Sequence, residues 1–464
     1  MLFLVEYLRR FGRFRRNARL YLVSNALSGV TTGIFLVLYN LYLVALGYGA
    51  DFIGLILLVG TLGAGLAIFP AGWCVDRFGG KAILIWSSLL IAVAGMGLLL
   101  LRQPVPLLVS SFVTGIGGAF VLVVNAPFLT VNSTPAERSH LFSLNIVLSL
   151  VTTVLGKVVG GVLPAWLMAP LPPWLAWFLA TQPAARSYQL ALLLAGAIAG
   201  PSLVPLFLLS DDRPVLRARR GGSSAPDTFE VPDGKPIEAS LWQATWLPVW
   251  GTGNQARLKA LPVLHSPLVL LSLTQVLIGL GAGLFIPYFN IYFVQHLHAS
   301  SALFGVVDGS ATAITALFTL AAPWLAMRVG KVNTIALTQL ASIPLLLTIG
   351  LADVLPLAAV LYLFRYGLMD MSNGVFQVFS MEEVPEQRRG LANSSYQASF
   401  QVAWALSAPL GGLIIVHLGY PPIFMLAAVC YLLSIGVLWG NFGRGRRFKQ
   451  EREFMAEKMK KGES

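Results

Sequence analysis

Gly29 to Val44 reads GVTTGIFLVLYNLYLV, and Gly279 to Val294 reads GLGAGLFIPYFNIYFV. Gly29, Gly33, Phe35, Asn40, Tyr42 and Val44 return as Gly279, Gly283, Phe285, Asn290, Tyr292 and Val294, at a constant offset of 250 (279 − 29 and 294 − 44). A match of this length, with two glycines and a mid-helix asparagine in register, predicts a chain built from two similar halves. Internal repeats fix architecture before any residue-level reading does. Each half is organised on an apolar helix that carries the pattern.

Composition places those helices in a bilayer. Of 464 residues, 56% are hydrophobic and only 11% charged, with a mean hydropathy of +0.74. Soluble domains carry about a quarter charged residues. Cys74 and Cys430 lie in apolar surroundings and read as packing residues, and the five histidines show no ligand spacing. Neither a metal nor a cofactor is expected. The formal charge of +12 would point to nucleic acid in a soluble protein. Here the basic residues sit in short loops beside apolar helices, where they set orientation.

The basic start, Arg9 to Arg19, precedes an apolar run from Leu20 to Leu46 that is too long for a cleaved leader and is read as helix 1. Further spans are expected near 51–75, 82–101, 105–131, 139–168 and 188–209, then from about 266, 301, 332, 354 and 391, and at 421–439. This gives an all-α polytopic membrane protein with twelve spans in two pseudo-symmetric six-helix bundles, 20–209 and 266–442. A basic N-terminus (1–19), a linker (210–265) and a charged tail (443–464) complete the chain. Lys and Arg gather on the side of both termini, leaving little beyond Arg102 and Arg186 opposite, so both termini are expected in the cytoplasm. Trp166, Trp174 and Trp177 are placed in the outer interface. Trp242, Trp246 and Trp250 share a face if their segment is helical, as an inner-leaflet helix would need, or are scattered in an irregular loop.

The loop between helices 2 and 3 reads GWCVDRFGGK, from Gly72 to Lys81. Gly72, Asp76, Arg77, Gly79 and Lys81 fall on the signature loop of the major facilitator superfamily, which the chain resembles over nearly its whole length. A weaker copy follows helix 8 as Pro323, Trp324, Arg328, Gly330 and Lys331, with Met327 where the Asp would stand. Pro135 and Arg138 after helix 4 are answered by Pro385 and Arg388 after helix 10. The resemblance implies a cytoplasmic latch of Gly72, Asp76, Arg77, Gly79, Lys81, Arg328, Gly330 and Lys331. Glycine would allow a tight turn there, and the carboxylate would accept bonds from basic partners or a helix N-terminus. The chain departs from the drug–proton antiporters of that superfamily. Ser111 stands where those carry Arg, four residues before Gly115, and no Pro follows Gly160.

Polar residues recur at helical spacing inside the spans. Asn25, Gly29, Thr32 and Asn40 form a stripe on helix 1, mirrored by Gln275, Gly279 and Asn290 on helix 7. Helix 5 carries Asn145, Ser149, Thr153 and Lys157, helix 8 Asp308, Thr312, Thr315 and Thr319, helix 10 Tyr366, Asp370, Asn373 and Gln377, and helix 11 Asn393, Gln397 and Gln401. Such residues line a wet cavity, although Ser, Thr and Gly also serve helix packing. Lys157 and Asp308 are expected to form an outer gate pair. Asp370, with Asp308, is the candidate for proton coupling, and Lys157 with Arg365 would attract an anion.

The reading is a secondary transporter, monomeric, working by alternating access on a small organic or amphipathic solute. Proton coupling and export are expected, with organic-anion uptake or exchange as the alternative. A non-transporting membrane sensor with the same fold is the alternative of another class. No enzyme motif and no nucleic-acid partner is read; the partners are the substrate, the bilayer and protons.

Overall fold

The computed structural model describes residues 14–168, 179–210, 266–384 and 389–443. Regular structure among the described residues is entirely helical. Twelve long helices follow in order. The first six are α1 (Arg16–Ala45), α2 (Ala50–Phe78), α3 (Gly80–Leu100), α4 (Pro104–Val131), α5 (Pro135–Trp166) and α6 (Pro183–Phe207). Then come α7 (Pro267–Phe285), α8 (Ser301–Val329), α9 (Lys331–Leu351), α10 (Leu355–Glu382), α11 (Arg389–Leu418) and α12 (Pro421–Phe442). Eleven of these spans are long and apolar enough to cross a membrane; α10, which carries Arg365 and Asp370, falls short.

Local chemistry sets the helix ends. Pro104, Pro183, Pro267 and Pro421 stand in the first turn of their helices, where the missing N–H has no partner to lose. Ser266 and Ser300 cap α7 and α8 by accepting from the Val269 and Leu303 amides. α2 and α8 both end on glycines with positive φ, Gly79 at 86° and Gly330 at 90°. These two glycines share one offset, 251 (330 − 79).

Packing repeats as the sequence does. α1 lies on α5 and α6, α2 on α4, and α3 on α4 and α6; α7 lies on α11 and α12, α8 on α10, and α9 on α10 and α12. A Cβ at Gly33 or Gly156 would strike the facing backbone of α5 or α1, and at Gly283 or Gly411 that of α11 or α7. Small residues let helix backbones approach where lipid supplies no hydrophobic drive. Hydrogen bonds repeat too. Tyr42 donates to the Leu99 carbonyl at 2.8 Å, and Tyr292 to the Ile349 carbonyl at 2.5 Å; both positions move by 250 (292 − 42 and 349 − 99).

One departure breaks the symmetry. Where α1 runs unbroken to Ala45, its counterpart stops at Phe285 and continues as a 3₁₀ turn (Ile286–Tyr288), one helical turn (Phe289–Ile291) and a π turn (Tyr292–His296). Pro287, which replaces Val37 of the first copy, has no N–H for the ladder. The distorted segment still buries Phe285, Tyr288, Phe289, Tyr292 and Phe293 in the core of this end.

Residues 1–13, 169–178, 211–265, 385–388 and 444–464 lie outside the described part. So do the expectations placed on them: the basic start up to residue 13, the linker and its tryptophans, Trp174, Trp177, Pro385, Arg388 and the tail.

Candidate functional site

The two halves meet along two seams, α5 against α8 and α2 against α11, and a third contact joins α1 to the distorted end of α7. The seams are related by the repeat. Gly161 faces Ser301 and Gly305 in one, while Gly412 faces Ala50 and Gly54 faces Ala408 and Pro409 in the other. The offset is 251 throughout (412 − 161, 301 − 50, 305 − 54). All these contacts lie toward the end of the bundle that holds the α1–α2 turn, hereafter the sealed end.

Toward the opposite end the same helix faces part. Below Val154, which meets Gly309, the α5 face continues through Leu150 and Val147, both exposed. On α11, two and three turns from Ala408, it continues through Gln401 and Gln397, also exposed. On α2, three turns from Gly54, a Cβ at Gly65 would meet nothing within 4 Å. The halves therefore diverge into a cleft whose walls carry Gln397, Gln401 and Gly65 beside Leu150 and Val147.

The α5–α8 seam holds a buried ion pair. Lys157 Nζ lies 2.9 Å from Asp308 Oδ2 and donates to Thr312 Oγ1 at 2.9 Å. Tyr362 of α10 donates to the other carboxylate oxygen, Asp308 Oδ1, at 2.9 Å. Lys157 is 5% exposed and Asp308 7%, so the pair is almost dry and fully engaged. At the matching places of the other seam stand Ala408 and Leu57 (157 + 251 and 308 − 251). Tyr362 begins a row on α10, followed at helical spacing by Tyr366, Asp370, Asn373 and Gln377. The row runs from the buried ion pair to exposed Asn373 and Gln377. Asp370 is half-buried and accepts from Asn373 Nδ2 at 3.3 Å.

Arg365 is 1% exposed. Its guanidinium lies 4.6 Å from the Phe285 ring centroid, Nη2 donates to the Tyr431 hydroxyl at 3.2 Å, and Nε is buried without a partner. It faces its own half's aromatic core, away from the cleft.

The other polar residues divide four ways. Asn25 and Asn145 bond to each other at 2.8 Å across α1 and α5. Asn40 and Asn290 bond to backbone of the opposite half. Ser149, Thr153 and Gln275 are half-buried, and Gln377, Gln397 and Gln401 are exposed. Thr32, Thr312, Thr315 and Thr319 return their hydroxyls to their own helix one turn back.

A family model described as Major Facilitator Superfamily matches residues 21–267 and 271–459. The chain belongs to the major facilitator superfamily. It is a membrane transporter of that superfamily, not an enzyme. Solved structures of superfamily members share its fold at low identity. The nucleoside transporter NupG is 12% identical, with 92% of this chain and 98% of that one covered and a TM-score of 0.67. A bacterial homologue of the iron transporter ferroportin, in an inward-facing state, is 18% identical (92% and 98% covered, TM-score 0.65). The xylose transporter XylE from E. coli, in an inward open conformation, is 14% identical (91% and 95% covered, TM-score 0.63).

The superfamily loop residues are engaged within their own halves. Arg77 stacks on Trp73 at 5.1 Å and lies 5.8 Å from the Phe78 ring; Arg328 stacks on Trp324 at 4.3 Å. Lys81 bonds to the Leu209 carbonyl, and Lys331 pairs with Glu382. Gly79 and Gly330 supply the positive φ their turns require, whereas a Cβ at Gly72 would meet open space. The Asp76 side chain lies outside the described part. Sequence reasoning did not pick out Tyr362, although it lies one turn before Tyr366 in the same row, nor the Phe285 and Tyr431 rings that hold Arg365.

Proposed function

We propose that this chain is a secondary active transporter of a small polar or amphipathic organic solute, seen with its cytoplasmic side open. One observation carries the reading. Two repeat-related seams close one end, while the same helix faces diverge at the other into a cleft that carries Gln397 and Gln401. A protein whose two halves close one end and open the other has the geometry of alternating access. The open end carries Arg77, Lys81, Arg328 and Lys331 of the superfamily loop and its copy, which supports reading it as the cytoplasmic side. Two of the similar structures carry inward-facing descriptions. The units that move would be 20–209 and 266–442, with Lys157 and Asp308 as the outer gate and Asp76, Arg77 and their counterparts latching the inner end when it closes. Asp370 would carry the coupling proton. It sits between the gate and the exposed part of the α10 row.

An organic anion would need a cation in the cleft. Lys157 is spent on Asp308, and Arg365 on Phe285 and Tyr431, so neutral or cationic solutes fit the walls better. The test is a solute screen by thermal shift, then uptake into proteoliposomes with and without a pH gradient. Hits should exchange in counterflow, and Asp370→Asn should abolish the response to the gradient while leaving exchange. Counterflow absent for every stabilising solute would leave a membrane scaffold instead. A gradient response retained by Asp370→Asn would move the proton elsewhere.

A further inference from the structure

Asn40 and Asn290 hold matching places in the two halves (290 − 40 = 250). Each sends its amide across to the other half. Asn40 Nδ2 donates to the Pro287 carbonyl at 2.7 Å, and Asn290 Nδ2 donates to the Val37 carbonyl at 3.1 Å. The acceptors match as well (287 − 37 = 250). The contact is thus self-reciprocal, like the interface of a two-fold dimer.

The helix break makes it possible. In a regular helix the carbonyl of residue 287 would take the amide of residue 291. Here the Ile291 amide bonds to Asn290 Oδ1 at 2.9 Å, and the Pro287 carbonyl accepts from Asn40. One asparagine therefore caps the break with its oxygen and reaches the first half with its nitrogen. The interruption of α7, which the unbroken α1 does not share, acquires a purpose.

We propose that Asn40 and Asn290 form a reciprocal clasp that holds the sealed end shut and releases each time that end opens. They are positioning residues of the gate rather than ligands of the solute. Two neutral hydrogen bonds suit a reversible contact, since each biases the closed form by roughly fivefold, enough to favour it and too little to trap it. The proposal rests on the alternating-access reading, and the test separates the two.

Spin labels at Gln103 and Gln295, which lie in different halves toward the sealed end and are exposed, report its opening. They are placed on the full chain after Cys74→Ser and Cys430→Ser, and distances are read in nanodiscs by pulsed electron resonance. Asn40→Leu keeps the branched side-chain shape and removes the donor without burying a charge. It should raise the ratio of long to short distances by roughly fivefold or more, with little change in melting temperature. Asn290→Leu removes the matching donor and also uncaps the Ile291 amide, so it should raise the ratio and lower the melting temperature as well. Two distances in the parent with a ratio unmoved by both Leu variants would overturn the clasp. So would a fall in melting temperature with no change in ratio, the mark of a merely structural role. A parent fixed at one distance under every condition would remove the transport cycle itself, and the clasp with it.

Discussion

Replacing the ion pair by the residues that the other seam already carries is the most informative perturbation. Lys157→Ala and Asp308→Leu together would copy Ala408 and Leu57 into the α5–α8 seam. Both charged side chains are nearly dry, at 7% and 10% side-chain exposure. Removing one member leaves the other buried without its partner, at a cost of about 3–5 kcal/mol. Asp308→Leu also takes the acceptor from the Tyr362 hydroxyl, adding about 1–3 kcal/mol for a stranded buried donor. In the double variant no charge is stranded, and only the Tyr362 term remains. The double should therefore be more stable than either single variant. The coupling in the cycle should be at least about 3 kcal/mol, the size of one uncompensated buried charge. Adding Tyr362→Phe should recover most of what is left. The assay is equilibrium unfolding of the purified chain in mixed micelles, with all four corners of the cycle measured under one condition. Additive losses, with the double as unstable as the singles summed, would refute the reasoning, because they would mean that the charges are solvated independently. In transport, the same double variant should stay closed at this end longer than the parent, since an apolar seam has no charges to rehydrate and so no ionic trigger to open.

Other expectations follow from single contacts. Gly161→Leu and Gly412→Leu should each prevent closure of the sealed end, because a Cβ would strike the backbone of α8 or α2; lengthened distances across that end would show it. Gly79→Ala and Gly330→Ala should each lower stability by about 1–3 kcal/mol, the cost of placing a Cβ at positive φ with extended ψ, read by unfolding in micelles. Arg365→Lys should destabilise by about 1–2 kcal/mol through loss of the guanidinium stack on Phe285. The conservative exchange is not conservative where a planar cation is stacked.

Much of the architecture was legible because the bilayer imposes length and composition on each span, and because duplication wrote the same pattern twice. Gly29 and Gly279 read as members of wet stripes, with helix packing as the alternative; with Gly33 and Gly283 they serve packing. The pairing of Lys157 with Asp308 followed from their similar depth on helices that the superfamily resemblance sets face to face. The fate of Asn40 and Asn290 was not legible. An amide in an apolar helix reads alike whether it faces water, a neighbour's backbone or its own, and only the tertiary arrangement decides. Arg365 misled for the same reason: its aromatic partners come from α7 and α12, distant in sequence. The break in α7 left one signal, Pro287 in place of Val37, but its geometry depends on the Asn290 side chain, which no local pattern encodes.

The polarity of α10 bears on how the protein is made. Arg and Asp at a helix centre each cost about 2.5–3.5 kcal/mol during insertion, and this helix carries both along with Asn373 and Gln377. It packs against α8 and α9, so those helices supply the surroundings it lacks on its own. α10 should therefore partition into lipid only as a hairpin with α9, after α8 is in place. Substitutions that loosen that packing would surface as misrouted nascent chains and low yield before any defect in turnover was seen.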